Sequence, residues 1–246
     1  MKTLALLLLS AVSLRADTLA DVKSAVAALR GTQPIRASAE IHRKDHDAGR
    51  FSNDNYEGTA TVQVGLDASG VHLDFSSALV EQFAREQREF ALNRKKIPTA
   101  SRTAGGVTPL WALSRLNASD EFLGMLRTAT PKSESRAMLQ NHAARLLVFD
   151  VKEIVPDGVT SVGSVDYPVN RLRVWIGEDN LPMFAEHTVE RDAKFMFIHA
   201  RGKEVNTWTF ARVSDHLVVM RYTSASSAEG FGQKGENQQS EVITIN

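Results

Sequence analysis

The chain of 246 residues carries 29 Lys and Arg against 29 Asp and Glu, with 43% hydrophobic residues and no cysteine. Balanced charge without a basic block excludes a nucleic-acid binder, which concentrates basic charge on one face, and leaves no polybasic patch for anionic headgroups. Without cysteine there is no disulfide scaffold, thiol nucleophile, Cys-ligated zinc or lipid-modified N-terminal Cys.

Residues 1–16 have the layout of a secretory signal peptide. Lys2 precedes an apolar run, Leu4 to Val12, and Ser13-Leu14-Arg15-Ala16 offers small residues before the polar Asp17. That run is about half the roughly twenty residues a membrane span needs. Cleavage is expected after Ala16, with Ser13 as the competing position. Loss of Lys2 and Arg15 leaves 27 basic against 29 acidic residues in a mature chain expected to be soluble in a bacterial periplasm. Residues 17–246 are expected to form one domain.

The mature chain opens on a helix. Thr18 can cap it, Leu19, Val22, Val26 and Leu29 recur at helical spacing, and Gly31 follows the end. Ile35, Ala37, Ala39 and Ile41 then alternate with polar residues, which predicts a half-buried strand. Lys44 to Asn55 is polar and turn-like. Tyr56 to Leu66 and Val71 to Phe75 flank Asp67-Ala68-Ser69-Gly70 and predict a hairpin.

From Ser77 the period changes to helical. Leu79, Val80, Phe83 and Phe90 share one stripe with charges elsewhere. Pro98 to Thr108 reads as a connector with a Gly105-Gly106 hinge. Pro109 can start a short helix, Ser119 or Asp120 can cap another, and Pro131 is expected to open one running towards Arg145. A helical insertion at about 78–145 follows from these readings.

Period two returns from Leu146. Strands are expected over Leu147–Val155, Leu172–Ile176, Met183–Glu190, Phe195–His199, Asn206–Val213, Leu217–Ser224 and Val242–Ile245. Arg201-Gly202-Lys203 reads as a turn and Ser226–Ser240 as a polar connector. Short connections between these strands predict an antiparallel meander.

The segment Val174-Trp175-Ile176-Gly177-Glu178-Asp179-Asn180-Leu181-Pro182-Met183-Phe184, returning to Thr188-Val189-Glu190-Arg191, resembles the periplasmic outer-membrane lipoprotein carrier superfamily. So does the order of elements in this cysteine-free chain. The resemblance implies an α+β fold, a curved antiparallel half-barrel covered by an N-terminal helix and an inserted helical lid. It implies an exported, non-catalytic protein that carries or senses a lipid or lipoprotein acyl chain. No functional residue of the carriers matches a motif here, and the insertion is larger than their usual lid.

An apolar sheet face needs a cover. Helices set like a lid over a curved sheet leave a cavity for acyl chains, whereas helices packed tightly leave a core. Phe75, Phe83, Phe195, Phe197, Trp208 and Phe210 are the aromatic positions available to line the cavity or fill the core. The expected partners are a lipid or acylated protein and, transiently, membrane-anchored envelope proteins, with no nucleic acid. The chain is expected to be a monomer without cofactor.

Chemistry-bearing motifs are weak. His42 and His46, flanked by Asp45 and Asp47, lie about 13 Å apart on a straight strand, too far to share one ion unless the chain turns there. His187 and His199 are expected as cross-strand neighbours. No Gly-x-Ser-x-Gly elbow, His-Glu-x-x-His helix or phosphate loop is present. A secreted hydrolase with its site assembled only in three dimensions, or an interaction module using sheet edges, are the alternatives.

Overall fold

The computed structural model describes residues 18–48, 55–152, 164–195, 198–230 and 232–246, so the signal peptide expected over 1–16 lies outside the described residues. Among the described residues, ten antiparallel strands form one open sheet. Helix α1 (18–27) leads into β1 (Ile35–Ala48), β2 (Tyr56–Asp67) and β3 (Gly70–Asp74). Four helices follow: α2 (Ser77–Leu92), α3 (Thr99–Ala104), α4 (Pro109–Leu116) and α5 (Ser119–Met125). The chain then runs through β4 (Ala129–Leu139), β5 (His142–Val151), β6 (Ser164–Ile176), β7 (Pro182–Phe195), β8 (Ile198–Val213), β9 (His216–Gly230) and β10 (Gln233–Ile245).

The strand order β3-β2-β1-β10-β9-β8-β7-β6-β5-β4 explains the helices. The first three strands end at one edge and the meander from β4 to β10 begins at the other. The chain between them must cross the sheet, and it covers one face as it does so. Local signals support the crossing. Ser76 Oγ accepts the Leu79 amide at 3.3 Å to cap α2. Pro109 occupies the first turn of α4 behind Thr108, whose hydroxyl accepts from Trp111 at 3.1 Å. No helix among the described residues is long and apolar enough to cross a membrane.

Two cores lie under the helices. One joins Val22, Val26, Leu29 and Phe122 to Leu147, Phe149, Leu172, Val174, Ile176, Trp208 and Phe210. The other joins Leu79, Ala104, Ala112 and Leu116 to Ile35, Ala39, Ile41, Val62, Val64 and Ile243. A register shift after Thr209 gives β9 an extra residue, so Leu217 and Val219 enter the first core while Val218 enters the second. The Ala118 amide, between α4 and α5, donates to the Leu217 carbonyl at 2.8 Å and holds the helices on β9.

Several expectations are corrected. Residues 131–145 are the β4–β5 hairpin, turning at Gln140 and Asn141 with φ of 49° and 69°, and the helical block ends at Met125. Asn accepts positive φ readily, and pairing with β5 overrides the helix-forming residues of this segment. The Pro98–Thr108 connector contains α3. The Ser119 hydroxyl donates to the Leu29 carbonyl at 2.7 Å, and among the described residues no side chain accepts from the first amides of α5, whose N-cap is Ala118. Arg201-Gly202-Lys203 lies inside β8, and the polar 226–240 stretch is the paired ends of β9 and β10. β1 continues to Ala48, and the remainder of the expected 44–55 turn lies largely outside the described residues.

Candidate functional site

Strand pairing sets residues of the helix-facing side in rows across the sheet, and their chemistry changes row by row. The row Ile41–Glu241–Tyr222–Trp208–Ala185–Val174 is apolar apart from Glu241 and the Tyr222 hydroxyl. The next row is Arg43–Gln239–Ser224–Asn206–His187, and then comes Asp45–Asn237–Ser226–Glu204–Val189. The outermost is Asp47–Gly235–Ala228–Gly202–Arg191. The last two rows, except the buried Val189, line a groove of about 510 Å³ together with Tyr56 of β2 and Arg102 of α3.

Its floor is low where Gly235, Ala228, Gly202 and Ser226 form it, beside Asn237 and Glu204. Packing does not demand this: a Cβ built on Gly235 meets nothing within 4 Å. The ends are charged. Asp45 takes the Arg43 guanidinium at 3.2 Å, and the Tyr56 ring lies 5.9 Å from the Arg43 and 5.5 Å from the Arg102 guanidinium. Burial, reinforced by a hydrogen bond to Asp45, pushes the Tyr56 hydroxyl up to about 12. At the other end Arg191 donates to Glu204 at 3.2 Å.

A chain of polar contacts joins the groove to the helices. Glu204 accepts from Asn206 at 2.8 Å, and Asn206 accepts from the Tyr222 hydroxyl at 2.9 Å. The Tyr222 ring lies 4.4 Å from the Arg115 guanidinium of α4. Arg115 donates to Glu241 at 2.5 Å, and Glu241 also accepts from Trp111 at 3.0 Å and Gln239 at 2.6 Å. Glu241 is 0% exposed, so this is a buried, multiply bonded ion pair that fixes α4 on β10. Desolvation raises the Tyr222 hydroxyl above its ordinary value.

The aromatic positions expected to line one cavity are divided. Trp208 and Phe210 belong to the first core, Trp208 tilted on Tyr222 at 5.5 Å and Phe210 edge-on to Phe122 at 5.6 Å. Phe75 and Phe83 meet edge-on at 6.2 Å and pack against the second core. Phe195 closes β7 opposite Ile198, and Phe197 lies outside the described residues.

The histidines are dispersed. His187 faces Asn206 and bonds Asn170 at 2.7 Å, whereas His199 faces Lys194 and bonds Asp192, so the two are not cross-strand neighbours. The register of β7 on β8 sets Lys194 opposite His199, seven residues along β7 from His187. His42 bonds Glu57 at 3.0 Å and His46 faces Glu236. Among the described residues no group of three potential ligands could hold a metal.

The groove and its network were missed by motif reading, although Glu241 carried a signal: it is a carboxylate on the apolar parity of Ile243 and Ile245. No family model and no curated protein matches the chain. Among solved structures, a chain in the complex structure of Pseudomonas aeruginosa MucA/MucB is similar at 8% identity and a TM-score of 0.27, over 94% of this chain and 97% of that one. A likeness of that size bears on neither mechanism nor function.

Proposed function

We propose that the sheet is a half-barrel and that the protein is an exported, non-catalytic binding protein of the cell envelope. Its ligand is an extended, polar segment of a polypeptide lying across the helix-facing groove. The observation that carries this reading is the change of chemistry along one face: apolar rows under the helices, then open rows with a small-residue floor between charged ends. From β1 to β7 there are four strand spacings, about 19 Å, which an extended chain of about six residues spans. Asp45 and Asp47 at one end and Arg191 at the other favour a segment with opposite charges at its two ends.

A second reading keeps the acyl chain. A surface groove of about 580 Å³ is lined by Ala137, Met138, Ala144 and Ile176 beside Arg136 and Arg145. Each methylene buried there contributes about 0.8 kcal/mol, and the arginines suit an anionic head.

Native mass spectrometry on protein purified from a Gram-negative periplasm without detergent, with and without a mixed-charge heptapeptide library, separates these readings. The peptide reading expects peptide-mass adducts that a Gly235→Leu variant loses, since a Cβ there meets nothing within 4 Å and the larger side chain occupies groove space. The acyl reading expects lipid-mass adducts that survive Gly235→Leu and disappear in Met138→Asp. A clean polypeptide mass under every condition removes both.

A further inference from the structure

We propose that the β4 edge pairs with β4 of a second copy of this chain, antiparallel about a twofold axis through Ser135. The two edges of the sheet differ. β3 has five residues and packs against α4. β4 has eleven, and only Ala129 among them packs against a core. A long uncovered edge offers a row of backbone donors and acceptors to another strand. Natural edges are blunted by proline and bulges, and here both sit together at Pro131, where the register shifts. Beyond them Ser133–Leu139 is regular and free of proline, and Met138 is 65% exposed.

The charges choose the partner and the register. On the helix-facing side Glu134, Arg136 and Met138 lie opposite Leu147, Arg145 and Ala143 of β5. Arg136 therefore faces another arginine, an unfavourable cross-strand pair. Arg145 is engaged with Thr18, Asn180 and, at 3.9 Å, Glu134. Arg136 has no ion pair or hydrogen bond among the described residues. With Ser135 opposite Ser135, Glu134 of each copy faces Arg136 of the other, twice, and Ser133 faces Ala137. Centring on Glu134 would set Lys132 against Arg136 and the two glutamates together. Centring on Arg136 would oppose the two arginines. The Ser135 register is the one of these three in which the second copy supplies the carboxylate that Arg136 lacks.

Because the chain has no cysteine, single Cys variants report the register. Directly paired strands hold their Cα atoms about 4.5–5.5 Å apart, inside the roughly 4.4–6.8 Å a disulfide bridges. Under mild copper-phenanthroline oxidation, Ser135→Cys is expected to give a covalent dimer. Ser133→Cys, offset by four residues and about 13 Å, is expected to associate without forming the covalent dimer. In sedimentation equilibrium, Glu134→Arg and Arg136→Glu are each expected to weaken association at least tenfold. The double variant, which re-forms both contacts in reverse, is expected to recover to within about threefold. Equal cross-linking at both positions, a double variant as weak as the singles, or a purified chain that sediments as a monomer at every concentration would overturn the proposal. A monomer that instead binds an extended peptide on this edge would do so too.

Discussion

The helix-facing side of this sheet holds two regions built from the same strands. Under the helices, β1, β8 and β10 present Ile41, Trp208 and Ile243, all buried. From Arg43, Asn206 and Gln239 outward the same side is polar, and no core cluster continues there. Backbone pairing runs through both regions, from Ala37 to Ala48 on β1 and, with one register shift after Thr209, from Ala200 to Val213 on β8. The sheet therefore needs no cover to persist. Side-chain chemistry decides where helices settle, and the boundary is drawn by one buried ion pair, Arg115 with Glu241.

Breaking that boundary has the largest expected effect. Glu241→Leu leaves the buried Arg115 with only the partly exposed Glu121, 3.7 Å away, and is expected to destabilise the fold by about 3 kcal/mol in urea unfolding. Arg115→Met together with Glu241→Leu is expected to restore stability to near the original, because two apolar side chains suit the covered region. A double variant as unstable as the single one would mean that the pair holds α4 through Trp111 and Gln239 and not through charge compensation.

Gly31 sharpens the covered side. It sits at φ of 41°, and a Cβ there would stand 2.0 Å from His216 Nδ1. Its amide donates to the Asp215 carbonyl at 2.9 Å, where α1 is tied to the β8–β9 turn. Gly31→Ala adds about 1–3 kcal/mol of backbone strain and must displace a buried imidazole as well. A lower melting temperature with unchanged groove binding is the expected result.

The open side should tolerate what the covered side does not. Arg191 is 46% and Glu204 31% exposed, and exposed pairs contribute about 0–1 kcal/mol. Arg191→Ala is expected to leave unfolding within about 1 kcal/mol of the parent while abolishing peptide uptake. Loss of stability comparable to Glu241→Leu would show that the groove is structural.

The same contrast explains what the sequence revealed. Strands with one covered face alternate, and Ile35–Ile41, Ala60–Leu66 and the β6–β7 hairpin were legible from that alternation. Thr223–Gly230 and Gln233–Ser240 are polar on both faces because nothing covers them, so period two vanishes where the groove lies. The β4 strand fails for a related reason. As an edge it is exposed on both faces, and Ala137, Met138, Leu139, Ala143 and Ala144 favour helix in isolation. Only pairing partners, which sequence does not display, make these segments strands. Glu241 and Arg115 were legible as anomalies on apolar faces, but not as partners of each other.

The smallest effect lies at the groove's own edge and is visible only in alkali. Tyr56 is held mainly by burial, then by its hydrogen bond to Asp45, while Arg43 and Arg102 oppose both by favouring the phenolate. Its value of about 12 in the fold exceeds the ordinary 10.0, so the folded state keeps this proton longer than the unfolded chain does. Whatever stability Tyr56 contributes is complete below pH 10 and is lost as pH rises through about 12. The ultraviolet difference between the parent and Tyr56→Phe should therefore show a step near pH 12, not 10. Asp45→Asn removes the charged acceptor and leaves burial in place, so the step should move down without reaching the ordinary value. A step already at pH 10 in the parent would mean that Tyr56 is solvated, and that the open region begins one row deeper than the strand pairing indicates.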